Sequence, residues 1–110
     1  ARIQAWTANP QNPRVHVLLA TLIGQRFAGA GLVPVFNANL AALHAAQWST
    51  PGDRFAVTLA DLHSAVDVAQ HVSDPADDVT GLHPNPAGYA RMADAWFDAL
   101  VQSQAVQRCP

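Results

Sequence analysis

The sequence contains no lysine, and its six basic residues are arginines scattered along the chain. Binding to nucleic acid requires a dense cluster of basic side chains, so the sequence argues against a nucleic-acid-binding protein. The same shortage argues against attachment to an anionic membrane surface. No apolar run approaches the roughly 20 residues that a membrane-spanning helix needs. We therefore expect neither a nucleic-acid partner nor a membrane span.

Metal-binding patterns are also missing from the sequence. Neither Cys-x-x-Cys nor His-Glu-x-x-His occurs, and these spacings are typical of zinc sites. A weaker candidate set of ligands exists in the second half of the chain, formed by Asp61, His63, Asp67, His71 and His83. We nevertheless expect no metal and no cofactor. In this interpretation Asp61 ends a strand, and His63 and His71 are exposed.

Cysteine occurs once, at Cys109. One interpretation of this residue is a free surface thiol. The other is one half of a disulfide whose partner lies outside this sequence, and that arrangement would imply a secreted protein. A single cysteine leaves both interpretations open.

The composition is that of a folded domain. Half of the 110 residues are apolar and only 13% are charged, which argues against a disordered chain. The length suits one domain that covers residues 1–110.

Two apolar segments predict strands. Residues 15–22 form a nearly continuous apolar run, which is typical of a strand covered on both faces in a parallel sheet. Residues 55–60 predict a second strand of the same kind. Two strands alone make a poor sheet. We therefore expect further strands to come from another segment, another chain or a dimer that exchanges elements.

Helical patterns surround these strands. Residues 2–8 predict the last turns of a helix, and residues 61–72 predict a short helical turn before an acidic loop. A longer helix that ends near Trp48 is predicted from apolar residues at three- and four-residue spacing, namely Val33, Phe36, Leu40 and Leu43.

The last predicted helix begins with a clear signal, since Asn85 suits the N-cap and Pro86 suits the first helical position. We expect its buried face to consist of Tyr89, Met92, Trp96 and either Ala99 or Leu100. The complete order of elements predicts part of a three-layer α/β fold with a parallel sheet.

The segment that is most informative about chemistry covers residues 81–89, Gly-Leu-His-Pro-Asn-Pro-Ala-Gly-Tyr. His83 stands in a loop just before the capped helix, and Pro84 and Pro86 restrict the backbone beside it. Such restriction holds an imidazole in one orientation, which a general base requires. A histidine beside proline also serves purely structural roles in many loops.

This segment closely resembles the last block of the GDSL/SGNH hydrolase family, Asp-x-x-His-Pro-Asn-x-x-Gly-Tyr, which an amphipathic helix follows. The block is matched by His83, Pro84, Asn85, Gly88 and Tyr89. The upstream strands and the long helix agree more loosely with the family's pattern. The resemblance thus covers nearly the whole chain, but only the His-Pro-Asn block is specific.

The resemblance implies a serine-dependent hydrolase of carboxylic esters. The family's histidine takes the proton of the serine and returns it to the leaving alcohol, and this role falls on His83. The family's Gly-Asp-Ser motif and its oxyanion donors lie in earlier blocks that do not occur here. The resemblance therefore implies the C-terminal part of one three-layer α/β/α SGNH-like domain, without its N-terminal strands. A serine-bearing N-terminal segment or chain would complete it, and the family's habits suggest a secreted or extracellular protein.

One position departs from the family's block. The family has aspartate three residues before the histidine, where this chain has Thr80. A carboxylate fixes the tautomer of the imidazole and stabilises the imidazolium, and threonine carries no charge. Our candidate for the missing carboxylate is Asp78, with Asp77 as a second choice. Alternatively, Asp74, Asp77 and Asp78 are solvated loop charges, or a backbone carbonyl holds His83.

Thr80 also supports a hypothesis of another class, in which the chain is a degenerate or truncated relative without catalysis. Such a protein would bind a carbohydrate or act as an assembly module. Exposed strand edges favour self-association, so a homo-oligomer is a further expectation. The acyl and alcohol groups of an ester substrate are not predicted, because they depend on loops outside this sequence.

Overall fold

The computed structural model describes residues 2–26, 31–49, 55–73 and 81–103. Within these residues the chain forms a small mixed α/β domain with two parallel strands and five helices. The elements in chain order are α1 (Arg2–Thr7), β1 (Val15–Ala20), α2 (Leu32–Gln47), β2 (Phe55–Ala60), α3 (Leu62–Ala65), α4 (Val68–His71) and α5 (Pro86–Gln102). This order confirms the predicted mixed α/β class. The predicted helical turn after β2 is in fact two one-turn helices.

The two strands pair in parallel over their whole length. The register places Val15 opposite Phe55 and Ala20 opposite Ala60. The predicted bounds of β2 are confirmed, whereas β1 ends two residues earlier than predicted. One further backbone hydrogen bond joins the two segments just after β1, where the Thr21 amide donates to the Ala60 carbonyl at 3.0 Å.

Asn37 of α2 explains why β1 stops where it does. Its Oδ1 accepts a hydrogen bond from the Leu22 amide, and its Nδ2 donates to the Leu22 carbonyl, both at 2.8 Å. The side chain is only 7% exposed. Because both backbone polar groups of Leu22 are satisfied by one amide, neither is available for strand pairing.

The helices cover β2 more completely than β1. Helices α1, α2 and α5 all contact β2, and Ala56, Val57 and Ala60 of that strand are buried. Every residue of β1 is half-buried, so the predicted burial of this strand on both faces is wrong for the described residues. A continuous apolar run is typical of a covered strand, but it cannot supply the elements that cover it.

The predicted apolar face of α2 is buried at one end only. Val33 is buried and Leu40 is half-buried, whereas Phe36 and Leu43 are exposed. The second fully buried side chain of this helix is the polar Asn37. The spacing correctly predicted a helix, but two strands offer too little surface to cover a whole helix face.

The predicted buried face of α5 is also only partly correct. Ala99 is buried, and three of the larger residues are half-buried, namely Met92, Trp96 and Leu100. Tyr89 is 55% exposed, so its predicted burial is wrong. The buried residue in the first turn of α5 is instead Gly88, which packs against α4.

The core combines residues of β2 with residues of the segment that follows it. Helices α3 and α4 pack on α5, which places three apolar residues of this region among the most buried of the described residues: Leu62, Val66 and Val72.

In the described part of the chain, no helix is long and apolar enough to cross a membrane.

We predict that Asn37→Ala lowers the free energy of unfolding by about 1–3 kcal/mol, because it removes two hydrogen bonds to the backbone of Leu22 that contribute about 0.5–1.5 kcal/mol each. Asn39→Ala is the matched control, since Asn39 is exposed on the same helix. Urea denaturation of both variants measures the difference. Equal unfolding midpoints for the two variants would contradict this account of where β1 ends.

Candidate functional site

The side chain of His83 is exposed, while the backbone around it is held. The His83 carbonyl accepts a hydrogen bond from the Ser73 amide at 2.9 Å. Two residues earlier, the Gly81 carbonyl accepts one from the Arg26 amide at 3.0 Å. Gly81 has a φ of +56°, a conformation that favours glycine. The loop is therefore fixed through its main chain and presents the imidazole at the surface.

Asn85 connects this loop to two helices. Its backbone amide donates to the His71 carbonyl at 2.9 Å, and its Nδ2 donates to the Gln70 carbonyl at 2.8 Å. Its Oδ1 accepts from the Gly88 amide at 2.9 Å, which caps the first turn of α5. The predicted N-cap is confirmed, and so is Pro86 at the start of the helix. The cap also attaches α5 to the end of α4.

The contact between the first turn of α5 and the end of α4 leaves no room for a side chain at Gly88. A Cβ atom at this position would lie 2.2 Å from the His71 carbonyl oxygen and 2.9 Å from the Cβ of Pro84. Pro84 itself is opposite Val72 in an isolated antiparallel bridge. The glycine of the His-Pro-Asn-x-x-Gly pattern therefore permits close packing of helix, loop and α4.

Helix α4 is stabilised by two local side-chain bonds. Asp67 is its N-cap and accepts a hydrogen bond from the Gln70 amide at 3.0 Å. In return, the Asp67 amide donates to Nδ1 of His71 at 3.0 Å. These bonds shape a helix of only four residues, which alone would be too short to be stable. The loop that carries His83 rests on this helix.

A second polar cluster lies where the chain leaves the carboxyl ends of the strands. The Thr21 hydroxyl donates to Oδ1 of Asp61 at 3.1 Å and accepts from the His63 amide at 2.9 Å. Asp61 follows β2 directly, as predicted, and caps α3 by accepting from the Ser64 amide at 3.2 Å. The cluster thus joins the two strand ends by side chains.

Hydrogen bonds change the acidity of Asp61. The bond with the Ser64 side chain lowers its pKa most, and the Ser64 amide, the Thr21 hydroxyl and the nearby His63 lower it further. Burial opposes them by raising the pKa, but the net pKa is below the usual value of 3.8. The fold therefore favours the ionised carboxylate, which is the stronger acceptor for the bonds that cap α3.

The prediction that His63 and His71 are exposed is wrong, because both are half-buried. His63 is held by the backbone bond to Thr21, and its buried Nδ1 has no hydrogen-bond partner within the described residues. Nδ1 of His71 accepts a hydrogen bond from the Asp67 amide at 3.0 Å. In the described ranges, no three His, Cys, Asp or Glu residues are grouped so that they could hold a metal ion.

A cavity of about 280 Å³ lies between the end of β2 and the C-terminal half of α5. Its lining combines three polar residues, Asp61, Asp98 and Gln102, with apolar residues of β2, α3 and α5. His83 is not among the described residues that line it. The described lining of this cavity is therefore separate from His83.

The sequence-predicted site residues divide into two groups. His83 stands on its anchored loop, whereas Asp78, Asp77 and Thr80 lie outside the described residues, so their relation to the imidazole stays a prediction. Cys109 also lies outside them. The sequence analysis did not identify Ser73 as a support of the loop, because nothing in a single sequence relates two residues that meet only through their backbones.

No family model, no curated protein and no solved structure matches this chain. Membership of a family therefore stays a prediction, and this prediction rests on the resemblance of the His-Pro-Asn block.

We predict that Gly88→Ala destabilises the fold by about 1–3 kcal/mol, since the new Cβ would displace the His71 carbonyl or Pro84. Alanine usually stabilises a helix relative to glycine, so a loss here would reveal the contact. Gly31→Ala is the control, because no atom lies within 4 Å of a Cβ at that position. Thermal unfolding should place Gly31→Ala closer to the wild type than Gly88→Ala, and a Gly88→Ala variant as stable as the wild type would refute the close packing.

We predict a pH-dependent effect of Asp61→Asn on stability. The folded state lowers the pKa of Asp61 from its usual value of 3.8. The ionised form therefore stabilises the fold above the unfolded pKa, and this contribution is lost as the pH falls through the folded pKa. Wild type should exceed Asp61→Asn in unfolding free energy at pH 7, and the gap should close below pH 4. Asp94→Asn controls for the loss of one exposed negative charge. A gap that is unchanged between pH 7 and pH 3 would refute the prediction.

Proposed function

We propose that this chain supplies the catalytic histidine, His83, of a serine-dependent carboxylic ester hydrolase of the GDSL/SGNH type. The observation that carries the proposal is the combination of the His-Pro-Asn-x-x-Gly-Tyr block with an exposed imidazole on an anchored backbone. In this proposal the chain is the C-terminal part of a three-layer α/β/α domain.

The support for this role is that His83 combines access with a fixed position. A general base must reach the proton that it removes, and an exposed side chain meets this requirement. It must also approach from one direction, and the bonds at Gly81, His83 and Asn85 hold the loop from both sides. A misplacement of about 1 Å costs on the order of a hundredfold in rate, so this anchoring is chemically relevant.

The proposed reaction has two steps. In the first, His83 takes the proton of the serine hydroxyl as the serine oxygen bonds to the ester carbonyl carbon. His83 then gives that proton to the leaving oxygen, which departs as an alcohol and leaves an acyl-serine. In the second step His83 takes a proton from water, whose oxygen attacks the acyl carbon, and returns it to the serine as the carboxylic acid leaves. No cofactor takes part in these steps.

Two parts of this machinery come from outside the described residues. The serine and the oxyanion donors belong, in the proposal, to a serine-bearing segment or chain that extends the sheet. Asp78 is proposed to orient the imidazole in place of the aspartate that the family has at the position of Thr80. A carboxylate in this role selects the tautomer whose free nitrogen faces the serine.

A second candidate function follows from Thr80 alone. Without a carboxylate at this position, the chain is a non-catalytic relative that binds a carbohydrate or takes part in an assembly. In that case the loop around His83 is retained for the packing of α5 on α4, and the imidazole has no base function.

The test is ester hydrolysis by the full native protein, with p-nitrophenyl acetate and p-nitrophenyl butyrate as substrates and a fluorophosphonate probe for the activated serine. We predict that His83→Ala lowers kcat by roughly a hundredfold to ten-thousandfold, because general acid–base catalysis is lost. His63→Ala is the control, since it removes an imidazole near the strand ends but outside the anchored loop. Circular dichroism verifies that both variants are folded.

The outcomes separate the two candidates. A His83→Ala variant with wild-type kcat would overturn the assignment of the base. Absence of both turnover and probe labelling in the native protein would favour the non-catalytic candidate. Where turnover exists, Asp78→Asn should lower it and Asp77→Asn should not. Thr80→Asp should raise turnover strongly if the loop lacks a carboxylate, and should change it little if Asp78 already acts.

A further inference from the structure

Arg26 lies between the segment that leaves β1 and the two segments that hold the His83 loop. Its backbone amide donates to the Gly81 carbonyl at 3.0 Å. Its Nε donates to the Val68 carbonyl at 3.0 Å, and its Nη2 donates to the Ala69 carbonyl. One residue therefore bonds to the start of the loop through its main chain and to α4 through its side chain.

The guanidinium suits the carbonyls that it binds. Helix α4 has four residues, so its carbonyls have few partners within the helix. In addition to the bond from Arg26, the Val68 carbonyl accepts a long bond of 3.4 Å from the Val72 amide. Arginine presents five N–H groups in a rigid planar fork, which binds two adjacent carbonyls at once. A lysine ammonium is a single point charge and would not reproduce this geometry.

The main-chain contact is equally close. A Cβ atom on Gly81 would lie 3.2 Å from the Cβ of Arg26 and 3.7 Å from its backbone. Gly81 also has the left-handed φ of +56°. The backbone of the His83 loop thus passes directly over the backbone of Arg26, and a displacement of one moves the other.

Helix α4 carries the other half of the support. The Ser73 amide, just after α4, donates to the His83 carbonyl, and the Asn85 amide donates to the His71 carbonyl, both at 2.9 Å. If the guanidinium is removed, α4 loses its bonds to the segment that follows β1, while the main-chain bond from residue 26 to Gly81 remains. Helix α4 can then shift relative to the start of the loop, and the bond between the Ser73 amide and the His83 carbonyl opens more often.

We infer that Arg26 is a positioning residue for His83. It fixes the distance between the loop and the carboxyl end of β1 and does not itself touch the reacting atoms. The inference rests on the proposed function, because the position of His83 affects a reaction only if His83 acts as its base. Its direct consequence is that Arg26 affects the rate of the chemical steps and leaves the binding of the ester unchanged.

The experiment compares three variants of the full native protein. Arg26→Ala removes the fork, Arg26→Lys keeps the charge and the stem, and Arg14→Ala removes an exposed arginine at the other end of β1. We measure kcat and KM separately with p-nitrophenyl acetate, with and without millimolar guanidinium chloride. Residue-resolved hydrogen exchange follows the Ser73 amide together with the amides of β1 and β2.

We expect Arg26→Ala to lower kcat by about tenfold to a hundredfold with little change in KM, since a positional error affects the transition state. Arg26→Lys should be nearly as slow, and free guanidinium should restore part of the activity of Arg26→Ala. Exchange at Ser73 should accelerate while the strand amides stay protected. Arg14→Ala should match the wild type in every measurement. If Arg26→Ala does not fold, Arg26→Lys supplies the same comparison.

Three outcomes would overturn the inference: equal kcat in Arg26→Lys and wild type, a rise in KM that accounts for the whole loss, or unchanged exchange at Ser73 in Arg26→Ala. Failure of the proposed function is recognised separately. A native protein that hydrolyses no ester overturns that function and the catalytic part of this inference. Faster exchange at Ser73 in Arg26→Ala would still support the structural part, in which the Arg26 side chain holds α4 in place.

Discussion

Three of the hydrogen bonds of Asn85 join the two halves of the region on which His83 depends. The side-chain oxygen begins α5, and the side-chain nitrogen and the backbone amide attach that beginning to the last carbonyls of α4. A bond of this kind contributes about 1 kcal/mol net, but a buried group left without its partner costs about 1–3 kcal/mol. The position of the loop therefore depends on one residue whose side chain and backbone amide bond to both helices.

Short polar side chains have the same function at the ends of the strands. Asn37 satisfies the backbone of Leu22, and Asp61 and Thr21 connect the residues that follow β1 and β2. Parallel strands leave a sheet at the same edge, where their last backbone groups lose ladder partners. In this chain the groups at that edge are satisfied by side chains from distant segments. The edge is consequently well defined although the sheet has only two described strands.

Local signals in the sequence predicted the elements well. The apolar runs of β1 and β2, the helical spacing of α2 and the Asn85–Pro86 start of α5 each depend on residues that are close in the chain. Burial was predicted less well, as Tyr89 shows. The spacing of apolar residues predicts which face of a helix is suited to burial. It does not predict whether the two described strands offer enough surface to bury that face.

The support of the candidate site was the least predictable part. The bond between Arg26 and Gly81 joins residues 55 positions apart through their backbones, and such contacts leave no pattern in a single sequence. His83 itself stands out in the sequence because the short block around it resembles the last block of a known family, and its catalytic role stays a prediction. The carboxylate at Asp78 stays a prediction, because the aspartates and Thr80 lie outside the described residues.

Two histidines in this structure have opposite hydrogen-bonding roles, and this limits what can replace them. Nε2 of His44 lies 3.0 Å from the Val57 carbonyl, where it acts as a donor that attaches α2 to β2. Nδ1 of His71 accepts from the Asp67 amide at 3.0 Å, at the start of α4. A substitute at position 44 must therefore offer a donor, whereas a substitute at position 71 must offer an acceptor. The two imidazoles are the same side chain but are not interchangeable parts of the fold.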